Sequence, residues 1–520
     1  MRDIEAVRPS LPDAARPNLV ISPTETEPGA NDDAGSRVTI RAFAIEGNAA
    51  ISTQRLDASL ADLVGRDLTF AEFRRAAERI TACYREHGFV LARAYLPPQD
   101  IEHGVVRITV VEGRYEQIEL RNRSRVLDRA LLQPLAGLHP GDIVHGGRLE
   151  RSLMLLNETP GVDAKGMLRP GNESGTTDLV IDAEPGRLAN GSVEFDNFGD
   201  PLTGRYRATG SLDVNAPLRL GDRFSLRGLT SNTNQHYYRA AYQLPVGPAS
   251  TRVGIAYSDM SFRLGGSMKD LDYRGGADVR SVFVTQPLLR NRRNTLDAQL
   301  AYENKHLRDI YGAFDVVSDK TVGVWTLGLT GNSQDYFGGG GRSGFSASIG
   351  IGRLHGNDPL GMNDFTHAQG RFAKLNVSAL RLQALGARWQ LYTQFSAQLS
   401  SRNLDASEKF SLGGPYSVRA YALGAGSGDQ GWQASAELRY LAASRVQINA
   451  FADTGRVQLN KQSWSRDRNA LQLSAFGISA SWFGDRHQVS ATAALPIGHA
   501  DPVASATRSP SVWLQAARYF

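Results

Sequence analysis

Gly431-Trp432-Gln433-Ala434-Ser435-Ala436-Glu437-Leu438-Arg439-Tyr440 decides how this chain is read. Side chains of an extended strand alternate between two faces, so Trp432, Ala434, Ala436, Leu438 and Tyr440 share one face. Gln433, Ser435, Glu437 and Arg439 share the other. Residues 388–399 repeat the pattern, with Trp389, Leu391, Thr393, Phe395, Ala397 and Leu399 opposite Arg388, Gln390, Tyr392, Gln394, Ser396 and Gln398. Leu296, Ala298, Leu300 and Tyr302, and again Val489, Ala491, Ala493 and Leu495, are weaker examples. From Leu188 onward helical periodicity is absent, and alternating segments of roughly ten residues are separated by Gly, Asn, Asp and Pro turns, as in a membrane β-barrel. About sixteen such strands fit into the roughly 330 residues available, enough to close around a polar lumen. A soluble sandwich also alternates. Here no helices remain to cover the sheets, and aromatic residues cluster near strand ends as interfacial girdles do, so the apolar face is expected to meet lipid. Val512, Leu514, Ala516 and Phe520 share a face of the last strand, with Arg518 out of character.

Upstream the texture changes. Val38 to Ile45 alternates as a strand and runs into the turn signal Glu46-Gly47-Asn48. Leu56, Leu60 and Leu63, then Phe70, Phe73, Ala77, Ile80 and Tyr84, recur at the three- and four-residue spacings of two amphipathic helices, the second stopped by Gly88. Strands Val90–Leu96 and Val105–Val111 follow, broken by Pro97-Pro98. The same order returns: strand Tyr115–Leu120, helices Val126–Leu135 and Arg148–Leu156, strands Val162–Arg169 and Thr177–Ala183. Two tandem copies of a unit of roughly 75 residues are expected, each burying one sheet face under two helices. Residues 1–36, rich in Pro, Ala, Asp and Glu, read as an extension or linker. The expected divisions are therefore 1–36, 37–113, 114–186 and 187–520.

Composition excludes several classes. A net charge of +5 over 520 residues, without blocks of like charge, does not point to nucleic acid. Arg290, Arg292 and Arg293 read as a solvated turn. The single cysteine, Cys83, rules out an intrachain disulfide, and its neighbours Ile80, Tyr84 and Phe89 place it on a core-facing helix. Ten histidines without a His-Glu-x-x-His pattern give no support for catalytic zinc. No run of apolar residues is long enough for a membrane helix. Barrels keep a soluble-like mean hydropathy, which here is -0.32. Met1-Arg2-Asp3-Ile4-Glu5 lacks the apolar core of a signal peptide, which a chain bound for the outer membrane needs. The sequence is accordingly read as a mature form, an expression form or one with a misassigned start.

Two Gly-x-Gly-x-x-Gly matches, at Gly339, Gly341 and Gly344 and at Gly426, Gly428 and Gly431, lie among antiparallel strands and not between a strand and a helix, so they read as loops and not as nucleotide sites. No Gly-x-Ser-x-Gly elbow or phosphate loop is present. The informative stretch is Lys409-Phe410-Ser411-Leu412-Gly413-Gly414-Pro415-Tyr416-Ser417-Val418-Arg419-Ala420-Tyr421, which opens a long Gly- and Ala-rich loop. An arginine there is ordinarily solvated. Further on, in Asn449-Ala450-Phe451-Ala452-Asp453-Thr454-Gly455, alternation sends Val446, Ile448, Ala450 and Ala452 to lipid and turns Phe451 and Asp453 into the lumen. An inward carboxylate in a confined channel calls for a cation, and a loop folded inward supplies a bidentate one in Arg419.

Phe-x-Leu-Gly-Gly with Ser-Val-Arg-x-Tyr, then Phe-x-Asp-x-Gly, resembles the outer-membrane transporters of two-partner secretion, the ShlB/FhaC/HecB type within the Omp85 group. The resemblance extends over nearly the whole chain. It implies α+β periplasmic POTRA (polypeptide-transport-associated) domains followed by an all-β, sixteen-stranded antiparallel transmembrane barrel in the bacterial outer membrane. It also implies a loop latch made by Arg419 and Asp453, with Val418, Tyr421, Phe451, Gly455, Gly413 and Gly414 as the surrounding motif. Phe520 takes the place of the C-terminal barrel-assembly signal. The family usually has glycine where Ala420 stands; if that position needs positive φ, alanine costs about 1 kcal/mol or more. Family members often carry an N-terminal helix that plugs the barrel, but Pro9, Pro12 and Pro17 argue against one here.

The expected function is export of an unfolded exoprotein, an adhesin, haemolysin or contact-dependent toxin, whose N-terminal secretion domain binds the POTRA domains. Other expected partners are outer-membrane lipid and the barrel assembly machinery; no cofactor, nucleic acid or catalysis is implied. A monomer is expected, because a closed barrel leaves no edge to pair. An insertase assembling outer-membrane proteins is the second reading, and a diffusion porin or barrel enzyme the third.

Overall fold

In a computed structural model the structure describes residues 18–21, 37–357, 366–464, 466, 468–498 and 510–520. The chain divides into two compact units, one ending at Gly186 and the other running from Arg187 to Phe520.

The first unit begins with β1 (Asn18–Ile21), β2 (Val38–Thr39), β3 (Ala42–Glu46), α1 (Thr53–Leu60), β4 (Asp67–Leu68) and α2 (Phe70–Glu86). It continues through β5 (Arg93–Tyr95), β6 (Val105–Val111), β7 (Arg114–Asn122), α3 (Asp128–Leu131), α4 (Gly146–Asn157), β8 (Val162–Pro170) and β9 (Thr176–Pro185). Helix α2 starts in a capping box, with the Glu72 carboxylate accepting from Thr69 N (2.8 Å) and Thr69 Oγ1 (3.0 Å). Its buried stripe, Phe73, Ala76, Ala77, Ile80 and Tyr84, shares one core with Ala94 of β5 and Val106, Ile108 and Val110 of β6, and Cys83 lies half-buried beside that core. Gly88 ends the helix region with φ +89°. Phe70, assigned to this stripe by spacing, is 49% exposed because it sits at the first helical position, before the face turns inward. The strand expected over 38–45 is broken at Ile40-Arg41, where β2 leaves to pair with β4. The helix expected over 126–135 shrinks to α3 and a short 3₁₀ turn, since Pro134 has no N–H to continue it. Within the stretch read as linker, β1 pairs in parallel with β8. The expectation about a plug helix falls on residues outside those described.

The second unit is a barrel. Its strands are β10 (Ala189–Asp196), β11 (Arg207–Asn215), β12 (Arg223–Ser231), β13 (Gln235–Val246), β14 (Thr251–Arg263), β15 (Tyr273–Arg290), β16 (Asn294–Tyr311), β17 (Val316–Asp335) and β18 (Gly341–Asn357). Then come β19 (Gly370–Ala384), β20 (Trp389–Ser400), a small hairpin β21 (Phe410–Leu412) and β22 (Gly426–Gly428), β23 (Gln430–Ala443), β24 (Val446–Gln458), β25 (Ala470–Phe483), β26 (His487–Pro496) and β27 (Ser511–Tyr519). Among the described residues sixteen of these, all but β21 and β22, close into one antiparallel ring, with β10 paired to β27 from Ser192↔Tyr519 to Asp196↔Gln515.

The faces follow the alternation. On β23 Trp432 and Leu438 are exposed outward while Glu437 is buried inward; on β20 Phe395 and Leu399 face out and Gln398 faces in. Trp389 stacks with Tyr440 (4.7 Å) and Tyr302 with Trp325 (4.9 Å), the pairing expected of interfacial aromatics. Strands β15 to β18 run to 17–20 residues, well past the roughly ten needed to span. Turns on the side where Arg187 enters are short, 444–445 for example, and the longest connection, 401–429, is on the far side. Arg290 is not a solvated side chain: it is buried and donates to Asp297 Oδ1 (2.6 Å) and to the carbonyls of Leu289 (2.9 Å) and Leu296 (3.2 Å), tying off a tight turn.

Candidate functional site

The loop between β20 and β23 does not extend away from the barrel but folds into it. Its base is the β21–β22 hairpin, in register Phe410↔Gly428 to Leu412↔Gly426. Gly455 on β24 makes room for it, since a Cβ there would lie 2.8 Å from Leu412 Cδ2 and 2.9 Å from Trp432 O. Gly413 and Gly414 then turn the chain with φ +89° and +93°, and a Cβ on Gly413 would meet Ala422 O at 2.2 Å. Gly414 N donates to Tyr421 O (2.9 Å), closing the tip.

At the tip Arg419 points to the wall. Its Nε donates to Asp453 Oδ2 (2.8 Å) and its Nη2 to Asp453 Oδ1 (2.7 Å), a bidentate pair, and its backbone N donates to Oδ2 (3.2 Å). Asp453 lies directly across from Ser435 of β23, which donates to Oδ1 (2.7 Å) and accepts from Arg419 Nη2 (3.0 Å). Nη1 donates to Glu437 Oε1 (2.7 Å), and Glu437 in turn takes two hydrogen bonds from Arg439, 2.9 and 2.7 Å. The Phe451 ring lies under the guanidinium at 3.4 Å. Asp453, Arg419, Glu437 and Arg439 thus alternate in sign, so the buried cluster carries no net charge and every ionised group has a partner. Charges taken from water are tolerated on those terms.

The tip also grips the closing strand. Trp513 Nε1 donates to Arg419 O (2.6 Å) and Ser511 Oγ to Ala420 O (2.7 Å). Phe198, just past β10, packs edge-on against both Tyr416 (5.6 Å) and Trp513 (5.9 Å). Ser417 hydrogen-bonds Gln433. Val418, Ala420 and Tyr421 are buried among Phe451, Leu473 and Ala475.

Of the residues singled out by sequence, Arg419, Asp453, Phe451, Val418, Tyr421, Gly413, Gly414 and Gly455 come together here. Phe520 is elsewhere, on the β10–β27 seam: its N donates to Gly191 O (3.1 Å) and its O accepts from Gly191 N (3.2 Å). Ala420 is not in the left-handed region, so alanine carries no strain there. Glu437, Ser435 and Trp513 were missed. Glu437 and Ser435 sit two residues apart on the polar face of β23, and that spacing was the available signal. Trp513 had none, because its contact joins residues 94 apart in the chain.

A closed barrel preceded by small α+β units and filled by its own loop defines an outer-membrane transporter. The family model for haemolysin secretion/activation proteins of the ShlB/FhaC/HecB type matches residues 175–482, and that for the ShlB-type POTRA domain matches 38–113. The chain belongs to the ShlB/FhaC/HecB family, with its barrel in the outer membrane and its POTRA domains in the periplasm. It is 27% identical to the heme/hemopexin transporter protein HuxB of Haemophilus influenzae (strain 86-028NP) over 84% of this chain and 79% of that protein. It is 25% identical to the outer membrane transporter CdiB of Escherichia coli O6:K15:H31 over 81% of this chain and 72% of that one. The solved structure of CdiB from Escherichia coli superposes with a TM-score of 0.75, at 23% identity, over 96% of this chain and 93% of that chain.

Proposed function

We propose that this transporter secretes a large, unfolded partner exoprotein by two-partner secretion, and that the loop held by Arg419 is its gate. The observation that carries the reading is the bidentate Arg419–Asp453 pair, which fixes a long loop inside the lumen by groups that separate without breaking a covalent bond. The modules over 37–113 and 114–186 receive the client. Their sheet edges suit an extended segment, because main-chain hydrogen bonds give affinity without one exact sequence. The way β1 lies along β8 over four consecutive pairs is the kind of edge addition this needs. The sequence carries no phosphate-binding loop motif, and we take direction to come from folding of the client outside. We assign no catalytic role to any residue, and take the barrel to work as a monomer inserted by the cell's barrel assembly machinery.

Co-expression with the cognate exoprotein tests the reading. Arg419→Ala is expected to alter export; export at the wild-type level by a normally assembled barrel removes the latch. Depletion separates the insertase reading, which the family match favours less: general loss of outer-membrane proteins is its signature, and loss of one secreted protein is the exporter's.

A further inference from the structure

The limb that leads into the loop is held by contacts the tip does not share. Glu408 is fully buried, with Oε1 2.9 Å from Lys305 Nζ of β16 and its other oxygen hydrogen-bonded to Lys374 of β19. Asp405 Oδ2 lies 3.1 Å from Lys320 Nζ of β17. Between these pairs Leu404 is buried against Val322 and Val324 of β17, Leu354 of β18 and Phe372 of β19. Gln398, at the top of β20, donates to the carbonyls of both Glu408 (3.0 Å) and Asp429 (2.9 Å), so the limb and the returning chain are clamped together.

The tip rests on β24 and β25 themselves, where Val418, Ala420 and Tyr421 are buried, whereas the limb meets the turn between those strands, Asn403 Nδ2 donating to Gln462 O (2.9 Å) and Lys409 Nζ to Leu459 O (2.8 Å). Between the two footings the backbone passes through the left-handed region at Gly413 and Gly414, and on the return at Gly424, φ +72°. A chain pinned at 403–409, glycine-jointed at 413–414 and 424, and latched at 419 is built in two mechanical parts.

We infer that Glu408 is a positioning residue which, with Leu404, fixes segment 403–409 to the β16–β19 wall, so that opening moves only the tip, 415–423, turning on Gly413, Gly414 and Gly424. The anchored limb then stays in the open channel and narrows it. A carboxylate between two lysines suits this task, since withdrawing it separates a buried anion from Lys305 and Lys374 at once, whereas the apolar contacts of Leu404 alone would permit sliding. This deepens the gate reading and rests on it only for what releases the tip.

The test places a reporter at the footing. In a Cys83→Ser background, Ala368→Cys, buried in the wall cluster that covers Leu404, is treated with a membrane-impermeant maleimide in the full-length protein reconstituted in lipid vesicles. Labelling is expected to stay slow when Arg419→Ala is added and to rise at least tenfold when Lys305→Ala, Glu408→Ala and Lys374→Ala remove the ionic cluster and put nothing in its place. In planar bilayers the Arg419→Ala protein is expected to open to the wild-type level, and the triple variant to open to a larger one. Should the triple variant not show the heat-modifiable gel migration of a folded barrel, Glu408→Gln gives the same readouts with the shape kept. Labelling as fast in Arg419→Ala alone as in the triple variant overturns the inference, because the loop then moves as one body. Slow labelling with an unchanged conductance in a folded triple variant overturns it equally. Failure of the latch itself is seen separately, as an Arg419→Ala protein whose opening frequency does not change.

Discussion

The indole N–H of Trp513 on the last strand donates to the main-chain carbonyl of Arg419, 2.6 Å away, so the residue that pairs the loop with Asp453 of β24 is also held by the strand that closes the barrel. Trp513→Phe removes the donor together with part of a buried ring. The expected loss is at least about 1 kcal/mol, the net worth of one such bond, seen as at least a roughly fivefold rise in opening frequency in planar bilayers. Unchanged gating shows the contact to be passive.

Arg419→Lys is expected to behave nearly as badly as Arg419→Ala. An ammonium offers no planar fork, so it cannot reach both Asp453 oxygens and Glu437 together. Removing one member of a buried ion pair costs about 3–5 kcal/mol, which shows as a lower temperature for loss of heat-modifiable migration.

Ala420→Gly, the change toward the residue usual in the family, is expected to destabilise the tip by about 0.4–1 kcal/mol. The site lies outside the left-handed region, so glycine adds only backbone freedom in the released state. A more stable latch in the glycine variant would mean that the tip takes another conformation.

Acid is expected to loosen the turn 171–176 in the second periplasmic module. Glu116 accepts from Thr176 Oγ1 (2.6 Å), Asn172 Nδ2 (2.8 Å), Asn172 N (2.7 Å) and Glu173 N (3.2 Å). Led by the Thr176 and Asn172 side chains, these bonds hold its carboxyl down at about 2, against 4.5 unperturbed. The folded form therefore stays ionised where the unfolded form takes up a proton, and the stabilisation, complete above pH 4.5, fades as pH falls toward 2. Amide exchange at 171–176, corrected for intrinsic rates, should lose protection over that window in the native chain. In Glu116→Gln protection should be weak and flat across it.

The barrel was legible because lipid and lumen impose opposite demands on alternate side chains, and Trp432 to Tyr440 records both. The Arg419–Asp453 contact was legible through the inward register of Asp453 and the resemblance of the motifs around it. Arg290 was misread, because its partner Asp297 lies across a hairpin turn whose tightness the sequence does not state. Glu437 was visible as a lumen residue, but nothing local says that it lies within reach of Arg419 rather than water. The footing at Glu408 was invisible, since Lys305 and Lys374 arrive from strands 103 and 34 residues away. Strand lengths past the membrane were also missed, because polar alternation above the lipid looks like loop.

Whether Arg419 and Asp453 act as one latch is measured most directly by a double-mutant cycle on opening frequency. Arg419→Ala, Asp453→Ala and the double variant are recorded in planar bilayers at fixed salt, each checked for folded-barrel migration. The account predicts that both single variants open more often and that the double variant opens no more often than the single ones, a coupling of at least about 1.5 kcal/mol. Effects that simply add, or single variants that gate like the wild type, would contradict it.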